Sequence, residues 1–165
     1  MDVSYAIAVT AVIYRKENGR FLITRRVPTK RKFPGKWTVP GGKLDPGDYQ
    51  NLPKDAGNLW YEVLETTVAR EVKEEVGLDI KNVDYLTSIV ADYGEEVPHG
   101  FIISLIAELS GGELQIQEEE LDKAEWVTAK EAEEYDLIDG IQDELWMAEA
   151  YLKGERIPWS EIKKD

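Results

Sequence analysis

The sequence contains no cysteine and a single histidine, His99. These absences exclude disulfide bonds and thiolate-ligated zinc sites. One histidine also cannot build a histidine-rich metal site or a helical His-Glu-x-x-His motif, and His99 is predicted to be an ordinary loop or strand-entry residue. Carboxylates are plentiful instead, and clusters of such oxygen ligands suit Mg²⁺ or Mn²⁺.

Positive charge is scarce, because 20 Lys and Arg residues stand against 33 Asp and Glu residues and give a net charge of −13. Affinity for nucleic-acid backbones comes mainly from Lys and Arg, so we expect no nucleic-acid polymer as a partner. A cluster of basic residues between positions 25 and 36 could attract phosphates, or could be an exposed loop that balances the acidic remainder. Its members are Arg25, Arg26, Lys30, Arg31, Lys32 and Lys36. Arg26 and Lys36 are the candidate substrate-binding residues among them.

Long hydrophobic runs are absent. The apolar run near the start ends at Tyr14; it is too short to span a membrane and lacks the basic region of a signal peptide. We therefore expect a cytoplasmic protein with no membrane partner. A chain of 165 residues can bury one sizeable core, and we expect a single domain over residues 1–153. The tail, 154–165, has no assignment and could pack on the body or serve a partner subunit, as in a homodimer.

Predicted strands and helices alternate along the chain. The Asn-Gly pair at 18–19 is a strong hairpin signal, and Gly77 is a typical residue to close a helix. The pattern predicts strands over 6–14, 21–24, 37–39, 83–91, 101–108 and 124–127, and helices over 60–76, 128–134 and 141–152, the second with Thr128 as its N-cap. Such alternation implies an α/β fold with helices layered around a mixed sheet.

The most informative segment is residues 70–77 (REVKEEVG), near the end of the first predicted helix. Helical spacing places Glu71, Glu74 and Glu75 on one side, where like charges repel. An apolar stripe on the same helix has Glu75 at its edge, and a carboxylate there is costly unless it is paired or bound to a cation. The stripe consists of Tyr61, Leu64, Val68, Val72 and Val76. This cluster of carboxylates has three interpretations: a solvated acidic face, an ion pair with a neighbouring arginine, or a metal site.

Upstream, residues 35–48 (GKWTVPGGKLDPGD) form a short predicted strand followed by a glycine pair and a turn, and paired glycines let backbone groups approach a ligand closely. Together with residues 70–78, this segment resembles the signature of the Nudix hydrolase family. That signature is a Gly-Gly turn, a glutamate, then Arg-Glu-apolar-x-Glu-Glu-x-Gly-apolar. The resemblance implies an α/β/α sandwich around a mixed sheet. It also implies hydrolysis within the pyrophosphate of a nucleoside diphosphate linked to another group, with Mg²⁺ or Mn²⁺ as cofactor.

The resemblance further implies roles for individual residues. The implied metal ligands are Glu71, Glu74 and Glu75, together with a backbone carbonyl of Gly41 or Gly42. Arg70 would hold a glutamate in place, and its i, i+4 spacing to Glu74 suits that role. Glu71 or Glu74 would help to deprotonate the attacking water. A late loop often adds a ligand or base, and from the triplet 118–120, which could equally be a solvated turn, we choose Glu119.

The signature is interrupted between its turn and its helix. Twenty-one residues separate Asp48 from Arg70, whereas the family pattern has seven, so an insertion of 14 residues splits it. Counting from the turn puts Asp48 at the glutamate position, while counting back from Arg70 puts Glu62 there. In an unbroken helix Glu62 would project away from the acidic face, which favours Asp48 as a site residue.

Two aromatic residues are further candidates for substrate contact. Trp60, at the end of the insertion, could stack on a nucleobase or anchor the loop to the core. Tyr93 is similar in position to a tyrosine of dinucleoside polyphosphate hydrolases. The sequence therefore predicts a metal-dependent pyrophosphohydrolase, with a catalytically silent nucleotide-sensing module of the same fold as the alternative. A P-loop enzyme is excluded because the Gly-x-x-x-x-Gly-Lys-Ser/Thr motif is absent.

Overall fold

A computed structural model describes residues 4–94 and 98–162. Within these residues the chain forms a mixed seven-stranded sheet with one α-helix packed on each face. The strands are β1 (Tyr5–Tyr14), β2 (Phe21–Arg26), β3 (Trp37–Thr38), β4 (Gly41–Lys43), β5 (Leu78–Ala91), β6 (His99–Gly112) and β7 (Leu121–Val127). The helices are α1 (Val63–Val76) and α2 (Ile141–Leu152), and short 3-10 turns span Pro46–Asp48, Glu131–Glu134 and Trp159–Glu161. The predicted α/β/α sandwich is confirmed.

Strand β1 lies at the centre of the sheet, whose main order is β3-β2-β1-β6-β5. It pairs in parallel with β6 along its whole length and antiparallel with β2 and β4, while β7 extends the sheet beside β2. The predicted Asn-Gly hairpin is present, with Gly19 at φ +66° and its N–H donating to the Arg15 carbonyl at 2.8 Å. The central position of β1 brings strand β4, which carries the glycine pair, next to the core.

The two faces of the sheet bury separate cores. On one face, Val68, Val72 and Val76 of α1 are fully buried against residues of β1 such as Val9 and Ile13. On the other face, α2 packs on a second apolar cluster. Each fully buried aliphatic side chain stabilises the fold by roughly 1.5–3 kcal/mol. Helix α1 is therefore held firmly by its apolar stripe, which fixes the direction in which its carboxylates point.

Helix α1 begins at Val63 rather than at the predicted Trp60. Glu62, the residue before it, adopts a left-handed conformation at φ +52° and ψ +33°, so the helix cannot continue backward through it. Tyr61 consequently lies outside the helix and is 63% exposed. Its predicted place in the apolar stripe is wrong, whereas the predicted end of the helix at Gly77, at φ +73°, is correct.

Other differences from the predicted elements follow from pairing between distant segments. Strands β5 and β6 are longer than predicted because they pair with each other from Leu78 opposite Gly112 to Ala91 opposite Gly100. Strand β7 likewise begins earlier, where it pairs with β2. The helix predicted over 128–134 is only the 3-10 turn Glu131–Glu134, in which a single residue is buried. The residue before the turn is Lys130, so the predicted N-cap Thr128 is wrong, although the Thr128 hydroxyl accepts a hydrogen bond from the Glu131 N–H at 3.1 Å.

The described part of the tail, residues 154–162, packs on the body of the fold. Arg156 donates to Asp84 at 2.5 Å and to the Tyr85 carbonyl at 3.0 Å, and the Trp159 indole N–H donates to Asp143 at 2.7 Å. In the part of the chain that the structure describes, no helix has the length and apolar character needed to cross a membrane.

Glu144 is a buried carboxyl group that gives the fold a pH-dependent stability. It lies on α2 with 2% exposure, and the Ser104 hydroxyl donates to it at 3.2 Å. Burial raises its pKa to about 7, with Asp143 adding to the rise and the Ser104 hydrogen bond opposing it. Between pH 4.5 and 7 the folded state keeps a proton that the unfolded state releases, so stability falls as the pH rises through this window.

We expect the Glu144→Gln variant to be more stable than the unaltered protein by about 3 kcal/mol at pH 8 and to lose this advantage near pH 4.5. Urea denaturation at pH 4.5, 6 and 8 measures the difference. Glu149→Gln, a substitution on the same helix at a residue paired with Lys153, is the control and should differ by less than about 0.5 kcal/mol at every pH. A constant difference between Glu144→Gln and the unaltered protein across this range would contradict the prediction.

Candidate functional site

The glycine pair lies on β4, where it touches both β1 and α1. Gly41 pairs with Thr10, and a Cβ added at Gly41 would lie 2.4 Å from the Val9 carbonyl oxygen. A Cβ added at Gly42 would lie 2.2 Å from the carboxyl carbon of Glu71. Both approaches are closer than any side chain allows. The absence of side chains at this turn therefore lets a carboxylate of α1 rest against backbone.

Glu75 lies beside this turn and is partly buried. The Gly41 N–H donates to its Oε2 at 3.4 Å, a long contact. Burial raises the pKa of Glu75 to about 8; the charges of Glu71 and Glu120 add to the rise, while Gly41 and Arg26 oppose it. The site therefore holds carboxylates whose negative charge lacks full compensation within the protein.

Arg70 joins three carboxylates on the outer side of the site. Its guanidinium lies 2.5 Å from Asp48, 2.9 Å from Glu71 and 2.9 Å from Glu74. The Asp48 side chain is only 6% exposed in this contact, whereas Glu62 is exposed at the start of α1. Of the two residues that could fill the acidic position of the signature, the structure therefore brings Asp48 to the site.

The donor groups at this site suit a hard divalent cation. Burial also raises the pKa of Glu71, although Arg70 opposes the shift, and a bound cation would relieve the cost of two such carboxylates side by side. Residues 4–94 and 98–162 nevertheless contain no group of three His, Cys, Asp or Glu side chains arranged to hold a metal. Glu74, which is 53% exposed, is turned onto Arg70.

The late acidic triplet contributes Glu120 rather than the predicted Glu119. Glu120 forms an ion pair with Lys30 and its charge raises the pKa of Glu75, whereas Glu119 is exposed. The pairing of β7 with β2 places Glu120 here, since the Val27 N–H donates to its carbonyl at 3.1 Å. Nothing in the local sequence indicates that pairing, so sequence reasoning had no signal to choose Glu120.

A backbone clasp joins the end of α1 to the segment that leads to this triplet. The Gln115 N–H donates to the Val76 carbonyl at 2.9 Å, and the Gln117 N–H donates to the Glu75 carbonyl at 2.8 Å. The clasp therefore holds the main chain of Glu75 at a fixed position relative to residues 113–117.

The predicted substrate-binding residues have different surroundings. Arg26 lies close enough to Glu75 to lower its pKa, and its Nε donates to the Lys32 carbonyl at 2.9 Å. Lys36 instead pairs with Asp136 at 2.5 Å. Of these two, the structure brings only Arg26 to the carboxylates.

The two aromatic candidates also have protein partners. Trp60 packs on Tyr49 with ring centroids 5.1 Å apart, and its indole N–H donates to the Leu52 carbonyl at 3.1 Å. Tyr93 contacts Phe33 edge-on at 6.2 Å, and the Lys32 ammonium lies 4.4 Å from its ring centroid. The Trp60 side chain therefore packs within the insertion, and the Tyr93 ring packs against the basic loop.

An α/β/α sandwich whose acidic helix rests against a glycine pair defines the Nudix type of fold. The model of the NUDIX domain matches residues 4–146, and the chain belongs to the Nudix family. Nudix hydrolases as a class depend on a divalent metal. The 14-residue insertion follows from comparing the spacing in this sequence with that of the family signature.

Known proteins similar to this chain include a curated relative and two solved structures. The NAD-capped RNA hydrolase NudC of Stutzerimonas stutzeri (strain A1501) is 35% identical over 108 residues, which are 66% of this chain and 32% of that protein. This chain thus spans about a third of that relative's length. The MutT protein of Methanosarcina mazei Go1 has a TM-score of 0.65 at 24% identity, covering 93% of this chain and 99% of that one. The NUDIX domain of Shewanella oneidensis NrtR, complexed with ADP ribose, has a TM-score of 0.68 at 17% identity, covering 93% and 91%. The two structures show a shared fold.

Proposed function

We propose that this chain is a divalent-metal-dependent pyrophosphohydrolase that cuts the pyrophosphate of a nucleoside diphosphate linked to another group. The observation that carries the proposal is the meeting of Glu71 and Glu75 with the backbone of Gly41 and Gly42. Two adjacent carboxylates at a backbone turn without side chains offer oxygen donors to a cation and leave room for phosphate oxygens. Membership of the Nudix family supports the same chemistry.

The residues that would hold Mg²⁺ or Mn²⁺ are Glu71, Glu75, Glu74 and a backbone carbonyl of Gly41 or Gly42, with Glu120 in place of Glu119 as the late ligand. When bound, such an ion neutralises charge on the pyrophosphate and makes a water more acidic. Glu74 reaches the site only after leaving Arg70, its present partner. Asp48 keeps the guanidinium of Arg70 in place during that change, because their contact is the most buried of the three.

Proton removal from the attacking water falls to Glu71 or Glu74 in this proposal. A base must accept a proton near neutral pH, and burial raises the pKa of Glu71 toward that range. Arg26, the cation nearest to Glu75 among the predicted substrate-binding residues, would attract a phosphate of the substrate. Lys36 would serve only after release from Asp136.

The substrate in this proposal is a small nucleotide. The net charge of −13 disfavours an extended contact with RNA, although the relatives named NudC are hydrolases of NAD-capped RNA. The cytoplasmic location and the homodimer expected from the sequence stay predictions.

A substrate panel tests the function. We expect release of a nucleoside monophosphate, with either Mg²⁺ or Mn²⁺, from at least one of ADP-ribose, NAD⁺, NADH, diadenosine tetraphosphate, 8-oxo-dGTP, a nucleotide sugar and NAD-capped RNA. Hydrolysis in ¹⁸O-labelled water should place the label on a phosphate of the product, because water attacks phosphorus. Saturable nucleotide binding without turnover on any of these compounds would instead support the silent sensing module.

A further inference from the structure

The insertion that splits the signature builds a cleft directly beside it. The cleft has a volume of about 380 Å³, within the usual range for small-molecule sites. Its walls include three aromatic side chains and three carboxylates. They are Tyr49, Trp60, Tyr61, Asp48, Asp55 and Glu62. We call this feature the insertion cleft.

The walls of the insertion cleft are held by hydrogen bonds within the insertion. The Leu59 N–H donates to the Ala56 carbonyl at 2.8 Å, closing a tight turn. The Tyr61 N–H donates to the Asp55 carboxylate at 2.9 Å. Together with the contacts of Trp60 to Tyr49 and Leu52, these bonds give the cleft a defined shape.

The chemistry of the cleft is that of a site for a flat cation. No Lys or Arg is among its lining residues, whereas the carboxylates of Asp55 and Glu62 and the exposed ring of Tyr61 attract positive charge. The third carboxylate, Asp48, is already paired with Arg70. The Trp60 ring already attracts one cation, because the Lys54 ammonium lies 5.5 Å from its centroid. Lys54 itself is not part of the lining and is bound to Asn58 at 2.8 Å. A neutral or anionic ring would gain less from the same walls.

The position of the cleft connects it to the signature site. Asp48 forms part of the cleft wall and also pairs with Arg70, which contacts Glu71 and Glu74. A substrate whose pyrophosphate lies at the acidic helix can therefore extend its other end into the insertion. We propose that the insertion cleft binds the end group of the pyrophosphate substrate and selects a positively charged heteroaromatic ring. This inference rests on the proposed function and assigns its substrate class.

Oxidised and reduced nicotinamide dinucleotides form a matched pair for the test, since they differ chiefly in whether the ring carries a positive charge. We expect kcat/KM with Mg²⁺ to be about tenfold higher for NAD⁺ than for NADH, the effect of one cation–π contact with supporting carboxylates. The double variant Asp55→Asn, Glu62→Gln should reduce the ratio to near one. Its kcat/KM for ADP-ribose, which ends in a ribose and has no heteroaromatic ring at that end, should not change. Asparagine can still accept the Tyr61 N–H, so the loop retains its bond.

The matched control is Glu65→Gln, Glu134→Gln, which removes the same charge from exposed positions that do not line the cleft and should leave the ratio unchanged. Trp60→Leu is a second cleft variant and should also reduce the ratio. If the ratio of kcat/KM for NAD⁺ to that for NADH is the same in the unaltered protein and in the double variant, and both are active, the proposed role of the insertion cleft is refuted. The proposed function is not affected by that result.

A binding measurement tests the cleft separately from turnover. 1-Methylnicotinamide carries the charged ring alone, and nicotinamide is its neutral counterpart. By saturation-transfer NMR we expect the charged compound to bind the full chain, with at least a threefold weaker signal for the Asp55→Asn, Glu62→Gln variant. Equal signals for the two compounds overturn the proposal, whatever the activity assays show. If the protein hydrolyses no compound of the panel but binds 1-methylnicotinamide in this way, the proposed hydrolase function is refuted. The preference of the insertion cleft for a charged ring is then supported.

Discussion

Replacement of Glu75 by glutamine is expected to lower kcat by about 1,000-fold, because several kcal/mol of charge stabilisation in the transition state depend on the cation that this carboxylate would hold. Glutamine has the same shape but offers one neutral oxygen, so the fold should be retained. The measurement is steady-state hydrolysis of the best panel substrate with Mg²⁺ and with Mn²⁺. Turnover at the unaltered rate would show that the metal site lies elsewhere.

The same variant should be more stable than the unaltered protein when metal is removed. Burial raises the pKa of Glu75 to about 8, so the folded state holds a proton that the unfolded state loses above pH 4.5, and stability falls as the pH rises toward 8. Glutamine removes this cost, and we expect a gain of roughly 2–4 kcal/mol at pH 9 in EDTA that disappears near pH 4.5. Urea denaturation provides the measurement. Glu65→Gln, at an exposed position on α1, is the control and should change neither activity nor stability appreciably.

Replacement of Gly42 by alanine is expected to lower kcat/KM by about 100-fold with little loss of stability. The new Cβ would occupy the space of the Glu71 carboxyl group, which lies 2.2–2.6 Å away. A carboxylate at the end of a flexible side chain can move, so the cost falls on the position of a metal ligand rather than on the backbone.

The control for this substitution is Gly47→Ala, in the 3-10 turn that follows β4. A Cβ at Gly47 meets no atom within 4 Å, and its φ is not positive, so activity should remain within about twofold of the unaltered protein. Thermal denaturation of both variants checks that they fold. Full activity of Gly42→Ala would mean that Glu71 does not act from its present position.

The features that sequence predicted well are those with local causes. The 3.6-residue periodicity of apolar residues located α1 and its acidic side, and the Asn-Gly pair located the hairpin between β1 and β2. The glycine pair was singled out because only residues without side chains suit a close backbone approach. In the structure a Cβ at either glycine would collide, with the Val9 carbonyl oxygen at Gly41 and with the Glu71 carboxyl group at Gly42.

The features that sequence missed depend on a backbone conformation with no sequence signal or on contacts between distant residues. The start of α1 was misplaced because no propensity predicts a left-handed glutamate, and Glu62 has φ +52°. The sequence does not single out Glu120, because its place depends on the pairing of β2 with β7. The contact of Asp48 with Arg70 joins residues on either side of the insertion, and local sequence patterns do not predict contacts over such a separation.

The clasp between α1 and residues 113–117 has a consequence for how this site can change over evolution. Its two hydrogen bonds join main-chain atoms of Gln115 and Gln117 to the carbonyls of Val76 and Glu75, so they impose no requirement on the side chains of the segment. Substitutions other than proline at Glu113, Leu114, Gln115 and Gln117 should therefore be tolerated, whereas Ile116 packs against the core beside α1 and should stay apolar. Deletion of a single residue there would shift residues 113–117 relative to the end of α1 and move Glu120 away from Glu75. We therefore expect the length of this segment to be under stronger selection than its exposed side chains.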